Sequence, residues 1–441
     1  MNRFPVTDSV LLIRAVDAGS TFMSFRWLDD PTNPTVHAIE ERHRNRILGL
    51  LNKALVTADG AEGNQGEAVR QALSGPFTRF HSEYAVSEAL SRAILPPAVV
   101  RELMARAEHG SVSVRITISG ELSRVPFELL LVDDEQRLIE IADLCYEPPA
   151  AIHVGRGRIP EVWTEGVSER SVLYVVDPAL PAGSGMLRIL GDPAAQGPSN
   201  RQIFIDHIAA RPHTWTSGVG KALGRWELSE ELRALPSRLF YFGHVSSTLD
   251  QPGSASLHLY DDEQEWGLAA PVNHAHLPLS ALDLLLGTAA VELGPEDRAP
   301  LEPDQPGHRL WPMPARVAVI ACEGGVDYRS SETFGLVMAI LSSGAEILAT
   351  TRWTLPSDAA FAELAGVTRI PGPTTELALA VDEMQAADNP AAALSRWQRA
   401  KLEQWRADPG PATSPLTWAS VVTHICPRRD VTSGVASEVV A

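Results

Sequence analysis

Two side chains able to do covalent chemistry near neutral pH stand at the ends of apolar runs. His244 follows Arg238-Leu239-Phe240-Tyr241-Phe242-Gly243, and Cys322 follows Val317-Ala318-Val319-Ile320-Ala321. A cysteine attacks a carbonyl as its thiolate, an imidazole takes and supplies protons near pH 7, and backbone N–H groups hold the oxyanion that forms. Glycines after such a nucleophile let the backbone approach a substrate, and Glu323-Gly324-Gly325 follow Cys322. Taken singly, each residue has a plain structural reading, since a lone cysteine on an apolar strand is most often a small hydrophobe. Together they matter, because strand ends at one edge of a sheet bring residues into contact across the 78 positions that separate these two.

The elements that must position them are apolar β runs alternating with helices from about residue 170 onward, the pattern of a parallel sheet covered on both faces. Strands are expected at 172–177, 238–243, 317–321 and 345–351, and helices at 199–210, 229–235, 279–286, 333–343 and 389–406. Ligands bind outside the carboxyl ends of such strands, which is where His244 and Cys322 fall. Upstream, a strand-like run (9–15) and an apolar-faced helix (36–56) suggest an N-terminal α/β accessory region over 1–75, ended by glycine-rich breaks at 59–66. Helices at 81–94 and 98–107, an alternating strand at 112–118 and a hairpin-like continuation at 121–132 fill a second region, 76–169. The third region is 170–427, interrupted by a Pro-rich, charged stretch, 292–314, expected as an inserted surface loop, and 428–441 is expected as a flexible tail.

The chain has 441 residues, 44% hydrophobic and 21% charged, which is ordinary usage for a packed globular protein. At about 150 residues per domain it holds two or three domains. Fifty-five acidic against 37 basic side chains give a net charge of −18, which repels phosphate backbones and anionic headgroups, so nucleic acid is not an expected partner. No run approaches roughly 18 uninterrupted apolar residues, and Met1 to Asp8 lacks a basic segment leading into an apolar one. The expectation is a cytoplasmic protein without a membrane span. Three cysteines are too few for a disulfide framework or a four-thiolate zinc site, and Cys145 and Cys426, in apolar company, are expected to be inert. His274-Ala275-His276 has no thiolate near it and is expected to be solvated rather than metal-binding. Gly218-Val219-Gly220-Lys221-Ala222 has the outline of a phosphate loop, but Trp215 stands where its first glycine is needed and Ala222 where its hydroxyl is. No metal and no cofactor are expected.

An apolar strand ending in Gly243-His244 and another ending in Ala321-Cys322-Glu323-Gly324-Gly325 occur here in order with several further segments. These are Val125-Pro126-Phe127-Glu128-Leu129-Leu130, Val172 to Pro178, Phe334-Gly335-Leu336 through Ser343-Gly344-Ala345, Ile347 to Trp353 and Asp358, and Pro415-Leu416-Thr417-Trp418-Ala419-Ser420. In this order, over roughly residues 76 to 425, they resemble the CHAT domain, a bacterial branch of the caspase-like (clan CD) cysteine peptidases related to separase. Val245 departs from the glycine that follows the family's histidine, and is expected to narrow the site. Gly324 departs from its threonine, and the His–Cys spacing exceeds the roughly 50 residues of caspase signatures, an excess that the 292–314 insertion largely explains. Tetratricopeptide repeats are absent from the sequence.

The resemblance implies an α/β, caspase-like parallel-type sheet with helices on both faces. It implies a cysteine endopeptidase with Cys322 as nucleophile, His244 as acid and base, and the N–H groups of Cys322 and Val245 as oxyanion donors. Substrate contacts are expected from Asp177, Ile320, Glu323, Gly324 and Trp353, with Asp177 offering a pocket for a basic residue. Relatives imply limited proteolysis of a protein target, such as a gasdermin-like effector precursor, in bacterial immunity or cell death; an activating protein partner is a further expectation, with residues 1–75 as the surface expected to sense it. The alternative is a catalytically silent caspase-like scaffold that recruits a partner.

Overall fold

The computed structural model describes residues 9–56, 65–149, 152, 155–192, 197–211, 215–247, 253–288, 305–322 and 335–426. Five strands organise the N-terminal part. β1 (Ser9–Ala18) and β2 (Ser20–Trp27) form a hairpin closed at Gly19, whose φ of +75° suits a residue without a Cβ. β3 (Thr35–Ile39) pairs antiparallel with β2. β4 (Val112–Thr117) and β5 (Asp143–Tyr146) continue the sheet in parallel on the other side of β1. Alternate residues, among them Leu11, Ile13, Met23, Phe25, Val114 and Ile116, are buried against the helices Glu41–Asn52, Phe80–Ile94 and Pro97–Ala107. The N-terminal α/β region is thus present and is sewn into the main sheet through β1 and β4.

Two local expectations in this part are corrected. Residues 35–39 form a strand rather than the start of a helix. Val36 and Ile39 lie three apart, which fits a helix face, but pairing with β2 imposes a period of two that leaves Val36 exposed and Ile39 buried. Residues 121–132 form no hairpin. Pro126 lacks the N–H that a ladder needs, and a 3₁₀ turn at Phe127–Leu129 drives Val125, Phe127, Leu129 and Leu130 into the core instead.

The second part carries β6 (Val172–Val176), β7 (Trp215–Val219), β8 (Arg238–Ser246), β9 (Ser256–Leu257), β10 (Leu279–Ser280), β11 (Arg316–Cys322), β12 (Ile347–Thr351) and β13 (Val421–Ile425). β7, β6, β8, β11 and β12 run parallel, whereas β13 is antiparallel to β12 and meets β5 through His424 and Tyr146. The class is α/β with a mostly parallel core. Both faces are covered: Leu239, Tyr241, Val317 and Val319 face the helices Arg225–Arg233 and Leu336–Ser342, while Phe240, Phe242, Ala318 and Ile320 face Asn200–Ala209 and Pro373–Ala386. The four expected strands occur, and β8 runs three residues further than expected, carrying His244 inside it. Gly218 and Val219 belong to β7 or its exit, so the outline of a phosphate loop is that of an edge strand.

The Pro-rich stretch 292–314 is described from Gln305 on, and that portion is core rather than surface loop. Leu310, Trp311 and Met313 are buried; Trp311 stacks on Trp226 at 5.8 Å and donates its N–H to the Arg225 carbonyl. The expected tail, 428–441, lies outside the described residues. Arg352, leaving β12, ties the two parts together by donating to Glu128, to the Val125 carbonyl and to the Tyr146 hydroxyl, all out of water. No helix among the described residues is long and apolar enough to cross a membrane.

Candidate functional site

β8 and β11 lie side by side in parallel, and their register sets Arg316 opposite Arg238 and, at the far end, Cys322 opposite His244. Neighbouring strands are about 4.8 Å apart, so the two positions adjoin at the carboxyl edge of the sheet. The unbroken apolar runs that precede them place both strands in the interior of the sheet, covered on both faces.

His244 is held in one tautomer. Its ring is 9% exposed, and Nε2 lies 2.7 Å from the carbonyl oxygen of Leu187, which can only accept, so Nε2 carries a proton. In the neutral ring Nδ1 is then the free base, and it makes no hydrogen bond among the described residues. The Leu187 side chain is 84% exposed, so its carbonyl is placed by its neighbours rather than by its own packing. Asp177 does that placing: at the turn after β6, with φ +46°, its carboxylate accepts the N–H of Ile189 at 2.8 Å.

The backbone of His244 is clamped as well. The Tyr241 hydroxyl donates to the His244 carbonyl at 2.6 Å, and the N–H of His258 reaches the same carbonyl at 3.2 Å. Tyr241 reaches it only by lying across Gly243: a Cβ built there would stand 2.5 Å from the ring, so glycine before the histidine is a steric requirement.

Behind this clamp is a row of buried imidazoles that the sequence reading did not anticipate. His258 packs edge-on to His244, with ring centroids 6.5 Å apart, and hydrogen-bonds His276 at 3.0 Å and Ser246 at 2.8 Å. His276, expected to be solvated, is fully buried and bonds the Asp261 carbonyl at 2.8 Å. The one available signal was His258 standing between Leu257 and Leu259 in an apolar run. Burial pushes both imidazoles below their ordinary range and raises the Asp261 carboxyl to about 6, against the pull of Arg225.

The remaining expected site residues divide. Asp177, expected to meet a basic substrate residue, is 2% exposed and already pairs with Arg201 at 3.3 Å; burial pushes its carboxyl up, against that pull. Ile320 is enclosed in the core with Phe240 and Phe242, and Trp353, 2% exposed, gives its N–H to the Leu416 carbonyl at 2.8 Å, so neither side chain is open to a substrate. Val245 does not narrow the site: its side chain is wholly buried on the opposite face of β8 with Tyr241 and Leu257. Glu323 and Gly324 lie outside the described residues. Cys145 and Cys426 are buried, and burial raises both thiols, that of Cys145 to about 12, which keeps them from acting as thiolates. No group of three or more His, Cys, Asp or Glu side chains among the described residues is placed to hold a metal ion.

No family model and no curated protein matches the chain. Among solved structures it is similar to Saccharomyces cerevisiae separase in the separase–securin complex, with a TM-score of 0.41 and 9% identity. The match covers 95% of this chain and 30% of that one, so the chain spans less than a third of that protein's length.

Proposed function

We propose that the chain is a cysteine endopeptidase of the caspase-like, CHAT type, with Cys322 and His244 as its dyad. The observation that carries this reading is the register that sets Cys322 opposite His244 at the carboxyl edge of the sheet. The tautomer of His244 supports it, because a proton fixed on Nε2 leaves Nδ1 to serve as base.

The Cys322 thiol gives its proton to Nδ1 of His244, and the thiolate attacks the peptide carbonyl carbon. The N–H groups of Cys322 and Val245 hold the oxyanion. As the C–N bond breaks, Nδ1 returns the proton to the leaving amine, and a thioester remains on Cys322. Water then gives a proton to Nδ1 and its oxygen to the thioester carbonyl, releasing the acid and restoring the thiol. The substrate in this reading is a protein cut at one or few sites, an effector precursor of the gasdermin-like kind among them, with a further protein as activator.

Intact-mass labelling with peptidyl electrophiles tests the dyad. Wild type is expected to take up a single adduct that is lost in both Cys322→Ala and His244→Ala. An adduct that persists in Cys322→Ala, or a biological effect that survives that change, points instead to a scaffold.

A further inference from the structure

The strand that carries His244 continues to Ser246, and beside Ser246 lies a cavity of about 240 Å³ lined also by Ser256, Ala270, Ser280 and Leu282. This is below the roughly 300–1,000 Å³ of small-molecule sites and has room for one side chain. At about 3.3 Å per residue, Ser246 stands about 7 Å along the strand from His244 and, by alternation, on the same face. A side chain within two residues of a bond held at His244 therefore reaches the cavity. None of the described residues lining it is charged.

Three hydroxyls of this lining, those of Ser246, Ser256 and Ser280, have a fixed polarity. The Asp261 carbonyl can only accept, so Nδ1 of His276 carries the proton and Nε2 is an acceptor. Nδ1 of His258 must then donate to it, which leaves Nε2 of His258 as an acceptor and obliges Ser246 to give up its only hydroxyl proton. Burial of both rings in their neutral form keeps the row in this sense. Ser256 spends its proton on the Ser254 carbonyl and Ser280 on the Asp283 carboxylate. The oxygens of Ser246 and Ser256 thus have only lone pairs left to offer, and that of Ser280, which already accepts the Asp283 N–H, has one. The row ends on a carbonyl rather than a carboxylate, so nothing in it stabilises a histidinium, and its effect is to set polarity rather than to activate Ser246.

We propose that this cavity receives an uncharged side chain that donates hydrogen bonds, a carboxamide or a hydroxyl, of the peptide substrate. The assignment rests on the peptidase reading and specifies its substrate. At these three oxygens a carboxylate would meet lone pairs, a buried ammonium would lack a counter-charge, and an apolar isostere would leave Ser246 and Ser256 without a donor. The charge at Asp177 is taken up by Arg201 and offers no competing basic pocket.

The test is digestion of a mixed peptide library by the full chain, reading the residues within two positions on either side of each cut, alongside alkylation of Cys322 by iodoacetamide. Gln, Asn, Ser or Thr is expected to exceed Leu by about tenfold at one position. That ratio should fall to near one in Ser246→Ala while iodoacetamide reacts unchanged, and Ala270→Leu should shift the preference to smaller side chains. A charged or Leu preference, or a ratio unmoved by both substitutions, overturns the pocket and leaves the dyad standing. No cuts at all by a chain whose Cys322 is labelled by the peptidyl electrophiles overturns the peptidase reading and the pocket with it.

Discussion

Gly243→Ala probes how His244 is held. The new methyl would stand 2.5 Å from both Cζ and the hydroxyl oxygen of Tyr241, and that ring, 1% exposed, has no free space to enter. Overpacking of this kind costs about 1–3 kcal/mol, and displacing the ring also breaks the bond to the His244 carbonyl, a further loss of about 1–3 kcal/mol. The preference of a strand for alanine over glycine returns about 0.5–1 kcal/mol, leaving a net loss of about 1–5 kcal/mol. Tyr241→Ala alone should cost about 3–5 kcal/mol, as other buried aromatic truncations do. In that background Gly243→Ala should be neutral within about 0.5 kcal/mol or stabilising, because the obstacle is gone. The four proteins, unfolded in urea and followed by tryptophan fluorescence, give the coupling, which should be at least about 2 kcal/mol. Additive effects would show that Tyr241 does not dictate the glycine.

Asp382 is fully buried and accepts hydrogen bonds from Tyr174, His207, Arg211 and Arg238. Burial works to raise its carboxyl, but His207, Arg238 and Arg211 prevail and hold it at about 2. Asp382→Asn should therefore cost about 3–5 kcal/mol at pH 7 in urea unfolding, because two arginines are left uncompensated. Since the folded carboxyl sits below its unfolded value of about 3.9, the stabilisation is complete above that pH and is lost as pH falls toward 2. The gap between wild type and variant should close over that range, and a gap independent of pH would refute the role of the charge. Burial also keeps His258, His276 and His424 neutral, the last with a value of about 3. The unfolded chain takes up protons below about pH 6.5 that these folded imidazoles refuse, so stability should fall with pH from there, by up to about 1.4 kcal/mol per unit for each ring. His424→Gln should flatten that slope between pH 6 and 5, and an unchanged slope would exclude His424 as a contributor.

The strands that carry the site were legible because both of their faces are buried, which writes them as unbroken apolar runs such as Leu239 to Phe242 and Val317 to Ala321. β7 was not legible: as an edge strand it reads Trp-Thr-Ser-Gly-Val, and only Gly218 of the five is buried. Pro373–Ala386 was missed although nine of its residues are buried, since a helix enclosed nearly all round loses the stripe by which an amphipathic helix is found. Ile320 and Trp353 illustrate the opposite error. The resemblance placed both in contact with substrate, whereas their apolar surface is buried in the core.

What the sequence concealed most completely is the polarity of the site. Two imidazole systems, His244 on Leu187 and the row from Ser246 to His276 on Asp261, have their proton positions dictated by backbone carbonyls. Every residue type carries such a carbonyl, so no side chain marks which one will be used; Leu187, nearly all exposed, looks like a dispensable loop residue. The carbonyl acquires its role only when Asp177, ten positions earlier, fastens the N–H of Ile189 and so presents Leu187 to the end of β8. Residue type therefore announced a thiol and an imidazole, and topology brought their positions together. Which nitrogen of His244 carries the proton, Nε2 anchored on Leu187, follows from a fastening between loop and strand that exists only in the folded chain.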